Sequence, residues 1–311
     1  MGEYGAREKI HFEVRGTQCA AWHYPGTNGG CVIMAGGFAV TKEPGTDLFA
    51  ARFHDFGFSV LAFDYRHLGE SGGQPRQVVR VREQLADWDA AVGFAATLPG
   101  VDPARLAIWA FSASGGYVFP LAARDTRLAA AIAQTPNADN PAAARNAARY
   151  QKPRSMLRFT GRALLDAAGA LAGRPPRLVP LGGAPGTVAV LTTPDVPDSG
   201  PALNPGGRYP DWQQEVAARS ALRLTVGRPG RWASRARCPL LVVVCDQDRS
   251  ALAGPAIRAA ERAPRAELIR LPGGHYAPFL DAHEQAVAAE LSFLRQRVLA
   301  ASPASSVRAA S

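Results

Sequence analysis

The chain of 311 residues has only four cysteines, three lysines and no long apolar run. The cysteines stand singly, without the paired spacing of a zinc site or a disulfide framework, so we expect free thiols, no metal site and a reduced, cytoplasmic protein. No segment approaches the roughly 18 to 20 apolar residues that a helix needs to cross a bilayer. The first 16 residues lack the apolar core of a secretory signal. The sequence therefore predicts neither a membrane span nor export.

The net charge of +9 suggests a nucleic-acid partner, but the kind of cation argues against one. All but three of the 35 cations are arginine, and Arg, Ala, Gly and Pro, all abundant here, share GC-rich codons. The arginines are scattered, with no basic run and no zinc-finger or RRM signature. We therefore expect a small-molecule partner and no nucleic acid, and the sequence leaves a homodimer open.

The apolar pattern predicts an α/β fold. Two short strand-like runs, 9–14 and 19–24, predict an antiparallel hairpin. Unbroken apolar runs that follow are typical of strands buried on both faces of a parallel sheet, and they occupy residues 30–35, 58–63, 106–111, 128–133, 240–245 and 266–271. Helical stretches are expected between them, at 46–56, 78–98, 113–124, 254–262 and 282–298. This alternation predicts a mostly parallel sheet with helices on both faces.

One long segment interrupts the alternation. Residues 139–236 contain stretches of helical character at 141–151, 155–172 and 211–226, separated by a region rich in Pro and Gly at 173–210. Because the sheet pattern resumes afterwards, we interpret 139–236 as a helical lid or cap inserted into a core made of residues 1–138 and 237–300. Residues 301–311 are predicted to be a solvated tail.

A serine follows the third parallel strand directly. The sequence around Ser112 matches a relaxed nucleophile elbow, in which small residues flank the nucleophile because strand and helix backbones approach closely there. Ala110 and Ser114 occupy the positions where Gly is usual. A plain helix N-cap is the alternative role for Ser112. Ser114 is a rival nucleophile, although it lies one turn into the helix.

A base and an orienting acid follow in the order Ser…Asp…His. Asp248 comes just after the strand 240–245, and His275 follows two glycines after the strand 266–271. Catalytic groups of open α/β sheets gather at the carboxyl ends of strands, so we expect both to lie near Ser112. A surface-loop histidine is the alternative for His275, and Asp246 is the alternative acid. The elbow and the predicted triad all lie outside the insertion.

The predicted oxyanion hole consists of two backbone N–H groups. Ala113 supplies one at the start of the helix, and Phe38, in a glycine-containing loop, supplies the other. The glycines could equally serve only to turn the chain. Gly37, His67 and Trp212 are predicted to contact substrate, with a surface role favoured for His67. Without a P-loop, a GxGxxG motif or a metal cluster, we expect no cofactor.

Five segments together carry a family resemblance. They are AGGFAVTKE at 35–43, FDYRHLGESGG at 63–73, AFSASGG at 110–116, DQD at 246–248 and LPGGHYAPF at 271–279. On these the chain resembles the α/β-hydrolase superfamily, in the branch of dienelactone-hydrolase-like and X-Pro dipeptidyl-peptidase (S15)-like serine hydrolases. The similarity spans about 10–135 and 236–298. Members commonly carry His-Gly in place of Gly36-Gly37, and Gly in place of His67 and Ala110.

These observations predict a serine hydrolase. The expected substrate is a carboxylic ester, lactone or thioester of a largely apolar small molecule, cleaved through an acyl-enzyme. The departures at Gly36, Ala110 and Ser114 favour an alternative, since fold alone does not determine chemistry. That alternative is a biosynthetic cyclase, acyltransferase or C–C bond lyase of secondary metabolism, or a substrate-binding protein with weak hydrolysis.

Overall fold

An eight-stranded sheet forms the centre of the molecule. The computed structural model describes residues 7–300, and the predicted tail at 301–311 lies outside them. Its strands are β1 (Glu8–Val14), β2 (Thr17–Tyr24), β3 (Cys31–Ala35), β4 (Ser59–Phe63), β5 (Leu106–Phe111), β6 (Leu128–Gln134), β9 (Leu240–Cys245) and β10 (Ala266–Leu271). Two further short strands, β7 (Leu178–Pro180) and β8 (Glu215–Ala217), form a separate ribbon.

The sheet is mostly parallel, as the unbroken apolar runs predicted. The strand order is β1-β2-β4-β3-β5-β6-β9-β10, and only the pairings of β2 with β1 and with β4 are antiparallel. Strands β3 to β6 and β9 are fully or almost fully buried along their length because helices cover both faces. This confirms the predicted fold class.

The core helices divide between the two faces of the sheet. They are α1 (Thr46–Asp55), α2 (Val81–Ala95), α3 (Ser112–Arg124), α8 (Ala253–Arg262) and α9 (His283–Leu294). One apolar core joins α2, α3 and α8 to strand residues such as Ile33, and the other joins α1 and α9 to alternate residues such as Val32. Successive strand residues thus enter opposite cores, as a pleated strand requires.

The chain order creates a crevice at the centre of the sheet. After β3 the chain continues to β4 on one side and then returns to β5 on the other side of β3. At such a switch point the connections leaving the two neighbouring strands diverge, which opens a space at their carboxyl ends. The loop after β3 and the start of α3 therefore flank one opening.

The segment 139–236, called the cap below, lies between β6 and β9. Its helices are α4 (Asn140–Ala148), α5 (Pro153–Leu171), α6 (Val196–Leu203) and α7 (Ala218–Arg223), and it also holds the β7–β8 ribbon. One expectation for this segment needs correction, because 211–226 is helical only over α7. The region rich in Pro and Gly at 173–210 contains α6, a helix with two prolines.

The described part of the chain contains neither a membrane-spanning helix nor a disulfide. No helix within residues 7–300 is long and apolar enough to span a membrane. The four cysteines are buried free thiols, and burial raises the pKa of Cys238 to about 11 and that of Cys31 to about 12. These thiols therefore pack as small apolar groups.

Candidate active site

Ser112 occupies a strained turn between β5 and α3. Its φ angle is 58°, in the left-handed region that costs a non-glycine residue energy and is commonly found at functional sites. The tight approach of strand and helix excludes larger neighbours. A Cβ on Gly115 would lie 3.1 Å from the Ala110 carbonyl oxygen, and one on Gly116 would lie 2.5 Å from that of Asn137. The small residues that follow the elbow in α3 thus have a steric cause.

Ser114 is occupied by other contacts. Its side chain is buried, and its hydroxyl accepts a hydrogen bond from the Tyr65 hydroxyl at 2.9 Å. The Tyr65 oxygen in turn accepts the indole N–H of Trp88 at 2.8 Å. This chain of hydrogen bonds lies beneath the helix, so Ser112 is the serine of the elbow that borders the cavity described below.

The structure brings Ser112, His275 and Asp248 together. The distance from Ser112 Oγ to His275 Nε2 is 2.9 Å, and that from His275 Nδ1 to Asp248 Oδ2 is 2.7 Å. The other Asp248 oxygen accepts the backbone N–H groups of Ser250 and Ala251 at 2.8 and 2.7 Å. With both oxygens engaged, the carboxylate is held in one orientation and favours a proton on Nδ1.

Asp246 lies apart from this contact. Its carboxylate pairs with the guanidinium of Arg270 at 2.8 Å, and both side chains are about half exposed (44% and 59%). Just after β9, Asp246 thus lies at the surface, whereas Asp248, two residues later, contacts the imidazole.

Two carboxylates change the acidity of the histidine. Burial lowers the pKa of His275, but the negative charges of Asp248 and Asp195 outweigh burial and raise that pKa above its ordinary value of 6.5. The aromatic ring of Tyr276 packs edge-on against the imidazole, with 4.9 Å between ring centroids. The site therefore favours the imidazolium, the form a general base reaches after taking a proton.

The loop after β3 presses against the elbow. A Cβ on Gly37 would lie 3.4 Å from Ser112 Cβ and 3.0 Å from the Phe111 ring, so a side chain there would push the loop away. Among the described residues, no turn, loop or cap hydrogen bond uses the N–H of Phe38 or of Ala113. Two N–H donors next to the serine are therefore available to a ligand.

A buried ion cluster anchors the far end of that loop. Lys42 is 1% exposed; its backbone N–H and its Nζ donate to the two oxygens of Asp64 at 2.7 and 3.0 Å. Nζ also contacts Glu43 at 3.0 Å and Glu70 at 2.5 Å. Because a buried ammonium requires such partners, Lys42 joins the loops that follow β3 and β4. No sequence signal pointed to Lys42, whose partners Asp64 and Glu70 lie more than 20 residues away in the chain.

A cavity of about 680 Å³ opens between the serine and the cap. Ser112, Phe38 and Tyr276 border it from the core. The cap contributes mainly apolar residues, among them Leu181, Leu191, Pro194, Val196, Leu203 and Trp212. None of the described residues that line it carries a formal charge at neutral pH. The cavity is thus suited to an uncharged, largely apolar group.

Of the three predicted substrate contacts, only Trp212 lines this cavity. Its indole N–H donates to the Ala39 carbonyl at 3.1 Å, which leaves the ring face as the cavity wall. Gly37 packs against Phe111 and His67 is buried, with Nε2 2.8 Å from a carboxylate oxygen of Glu83, and neither borders the cavity. The burial of His67 corrects the surface role favoured for it, whereas substrate contact by Gly37 or His67 stays a prediction.

Asp195 lies at the site although no signal in the sequence pointed to it. This cap residue is buried beside the loops that carry His275 and Asp248. The local sequence TTPDVP signals a helix start, and nothing in it indicates contact with residues 50 to 80 positions away. No group of three or more potential metal ligands occurs within the described residues.

Comparison with known proteins agrees with this architecture. The model of the alpha/beta hydrolase family matches residues 30–290. The quorum-quenching protein AidA of Acinetobacter baumannii is 35% identical over 294 residues, which cover 93% of this chain and 94% of that protein. The chain therefore belongs to the alpha/beta hydrolase family, whose relatives identify it as a hydrolytic enzyme.

Two further relatives are more distant. The thiohydrolase aneE of Aspergillus aculeatus is 39% identical over 109 residues, 35% of this chain and 34% of that protein. The crystal structure of the alpha/beta hydrolase GrgF from Penicillium superposes with a TM-score of 0.78 at 23% identity, covering 94% of this chain and 99% of that one. At that identity the structural likeness concerns the fold alone.

Proposed function

We propose that the protein is a serine hydrolase that cleaves an ester, lactone or thioester of a largely apolar small molecule. The observation that carries the proposal is the hydrogen-bonded series Ser112–His275–Asp248 at the edge of an uncharged cavity. A nucleophile, a base within 2.9 Å of it and an acid within 2.7 Å of the base form the arrangement that acyl transfer needs.

The reaction has two halves. Ser112 Oγ forms a bond to the acyl carbon while its proton passes to His275 Nε2, and the imidazolium then protonates the leaving oxygen or sulfur. In the second half, water gives a proton to His275 Nε2 and attacks the acyl carbon, and the bond from that carbon to Ser112 Oγ then breaks. The imidazolium returns its proton to Ser112 Oγ, so the acid is released and the free enzyme is restored. Asp248 holds the imidazole with Nδ1 protonated throughout and stabilises the positive charge.

The N–H groups of Phe38 and Ala113 would bind the oxyanion. Ala113 follows Ser112 in the chain and Phe38 borders the same cavity as Ser112, and neither N–H is used in a described turn, loop or cap. Donors fixed before the reaction stabilise the developing negative charge without reorganisation, and one such donor is commonly worth about 10²–10³ in kcat. The Lys42 cluster supports this role because it anchors the loop that carries Phe38.

The cavity and the relatives guide the choice of substrate. Because the lining is uncharged and mainly apolar, it favours a neutral acyl or aromatic group over a carboxylate or a phosphate. The names quorum-quenching protein and thiohydrolase are compatible with lactones and thioesters, so both classes enter the panel below. The dienelactone-hydrolase-like or S15-like branch, cytoplasmic location and a role in secondary metabolism stay predictions.

A fluorophosphonate probe tests the nucleophile. We expect it to label the wild type and the Ser114→Ala variant, and to leave Ser112→Ala unlabelled. Ser114→Ala is the matched control because it removes the neighbouring serine hydroxyl, two residues along the chain, which is bonded to Tyr65. Equal labelling of wild type and Ser112→Ala, or labelling of neither, would refute the proposal.

A substrate panel then tests the class. It consists of p-nitrophenyl esters of two to twelve carbons, an N-acyl homoserine lactone and an acyl thioester, each measured with wild type and Ser112→Ala. We expect Ser112-dependent turnover that is highest for uncharged medium chains. Labelling by the probe without turnover of any panel member would instead favour the transferase or cyclase alternative.

A further inference from the structure

Asp195 belongs to the cap, yet its side chain contacts the core loops of the proposed triad. It immediately precedes α6 and is 5% exposed. Its Oδ2 accepts the Arg249 N–H at 2.9 Å and the Ser250 hydroxyl at 2.8 Å, and its Oδ1 accepts the His275 N–H at 3.4 Å. One carboxylate thus joins the loop after β9 to the loop after β10.

Ser250 links this carboxylate to the proposed triad acid. Its backbone N–H donates to Asp248, while its hydroxyl donates to Asp195. Thr193, two residues before Asp195, also contacts the Ser250 hydroxyl at 2.6 Å. In addition, the side-chain amide of Asn146 in α4 donates to the Arg249 carbonyl at 2.6 Å. The loop after β9, which carries Asp248, is therefore held by the cap at several points.

A purely local role does not explain Asp195. An aspartate before a helix commonly caps it, but this side chain makes no capping hydrogen bond to α6. The Asp195 side chain faces the loop after β10, which carries His275, so closely that a Cβ on Gly274 would lie 2.6 Å from Oδ1. Its hydrogen bonds come from two backbone N–H groups and a hydroxyl, so the negative charge is held by neutral donors.

We infer that Asp195 is a positioning residue of the active site, through which the cap fixes the loops that carry His275 and Asp248. The inference rests on the proposed serine-hydrolase function. Although Ser112, His275 and Asp248 lie outside the cap, their geometry depends on a residue within it. Removal of the cap should therefore lower the turnover of even small activated esters.

The same carboxylate acts on the charge of His275. The ionisable groups that act on or pack against the imidazole are Asp248 from the loop after β9, Asp195 from the cap and the neighbouring Tyr276. Asp246 is paired with Arg270 at the surface, and Asp198 is exposed on α6. Loss of the Asp195 charge should therefore lower the pKa of His275, in addition to loosening the two loops.

The test compares Asp195→Asn with Asp198→Asn. The second variant removes an equal charge at an exposed position, three residues further along the chain. We expect Asp195→Asn to lower kcat about 10- to 100-fold with little change in KM, because misplacement of catalytic groups is costly. We also expect the acid limb of its kcat/KM profile to move to lower pH. Asp198→Asn should match the wild type in both measurements.

The outcomes separate this inference from the proposed function. If Ser112-dependent turnover is present and Asp195→Asn retains wild-type kcat, the inference is overturned. A fall in kcat with an unmoved acid limb assigns Asp195 to structural support only and also overturns it. If Asp195→Asn does not fold, as judged by circular dichroism, Ser250→Ala replaces it. That variant should lower kcat severalfold without moving the limb, and an unchanged kcat would overturn the inference.

The inference can also be tested without a substrate, in case no turnover is found. If no Ser112-dependent turnover is found, the proposed function fails, and NMR titration of the His275 ring, assigned with His275→Gln, then decides the inference. A pKa that is lower in Asp195→Asn than in Asp198→Asn supports the assignment. Equal pKa values in the two variants overturn it.

Discussion

Replacing Asp248 by asparagine changes one atom at the centre of the proposed triad. One Asp248 oxygen accepts two backbone N–H groups, so the asparagine carbonyl should take that place and its NH₂ should face His275 Nδ1. An imidazole that accepts at Nδ1 carries its proton on Nε2, where it can no longer take the proton of Ser112. The substitution should thus leave the fold intact and disable the base.

The expected loss follows from this tautomer change. We expect kcat to fall about 10³–10⁴-fold, which corresponds to about 4–5 kcal/mol of barrier. Asp246→Asn is the matched control, and because Asp246 is half exposed and paired with Arg270, we expect a loss of less than about tenfold. Initial rates with p-nitrophenyl butyrate measure both variants, and thermal unfolding verifies their folding. A larger loss in Asp246→Asn than in Asp248→Asn would refute the assignment of the acid.

Four further predictions concern pH, stability and specificity. Because the pKa of His275 is raised above 6.5 and its neutral form is the base, kcat/KM at pH 6.5 should be below half of its plateau value, and an acid limb below pH 6 would contradict this. Burial raises the pKa of Glu290 well above 4.5, so the folded state holds this proton at pH values at which the unfolded state has lost it. The stability of the wild type should therefore fall as the pH rises above 4.5. Glu290→Gln should remove this loss, and parallel unfolding curves of wild type and variant against pH would contradict it. Gly161→Ala, in α5 with no atom within 4 Å of the added methyl, should raise the free energy of unfolding by about 0.5–1 kcal/mol in urea titrations. Trp212→Ala should raise KM for octanoyl esters more than for acetyl esters, since the indole walls the cavity, and equal effects on both would contradict that role.

The core of the fold and the proposed triad could be predicted because their signals are local. A strand buried on both faces must be apolar throughout, so the runs that became β3 to β6 and β9 were visible one by one. Ser112 needs small neighbours, and Asp248 and His275 follow directly on strands, whose carboxyl ends meet at one edge of a parallel sheet. Each of these constraints acts over a few residues and leaves its mark in the sequence.

The cap and its contacts required the tertiary structure. Helix α6 contains two prolines and no regular apolar period, and Asp195 reads as a simple helix start. Its contacts to Ser250 and His275 span 55 and 80 residues, and they depend on how the cap lies across the sheet. The burial of Lys42 is decided in the same way, since only folding brings Asp64 and Glu70 around it. Sequence alone therefore predicted the proposed reacting groups and brought them to one edge of the sheet. Only the packing of the cap decided which other groups hold them, because polar partners distant in the chain leave no periodic pattern.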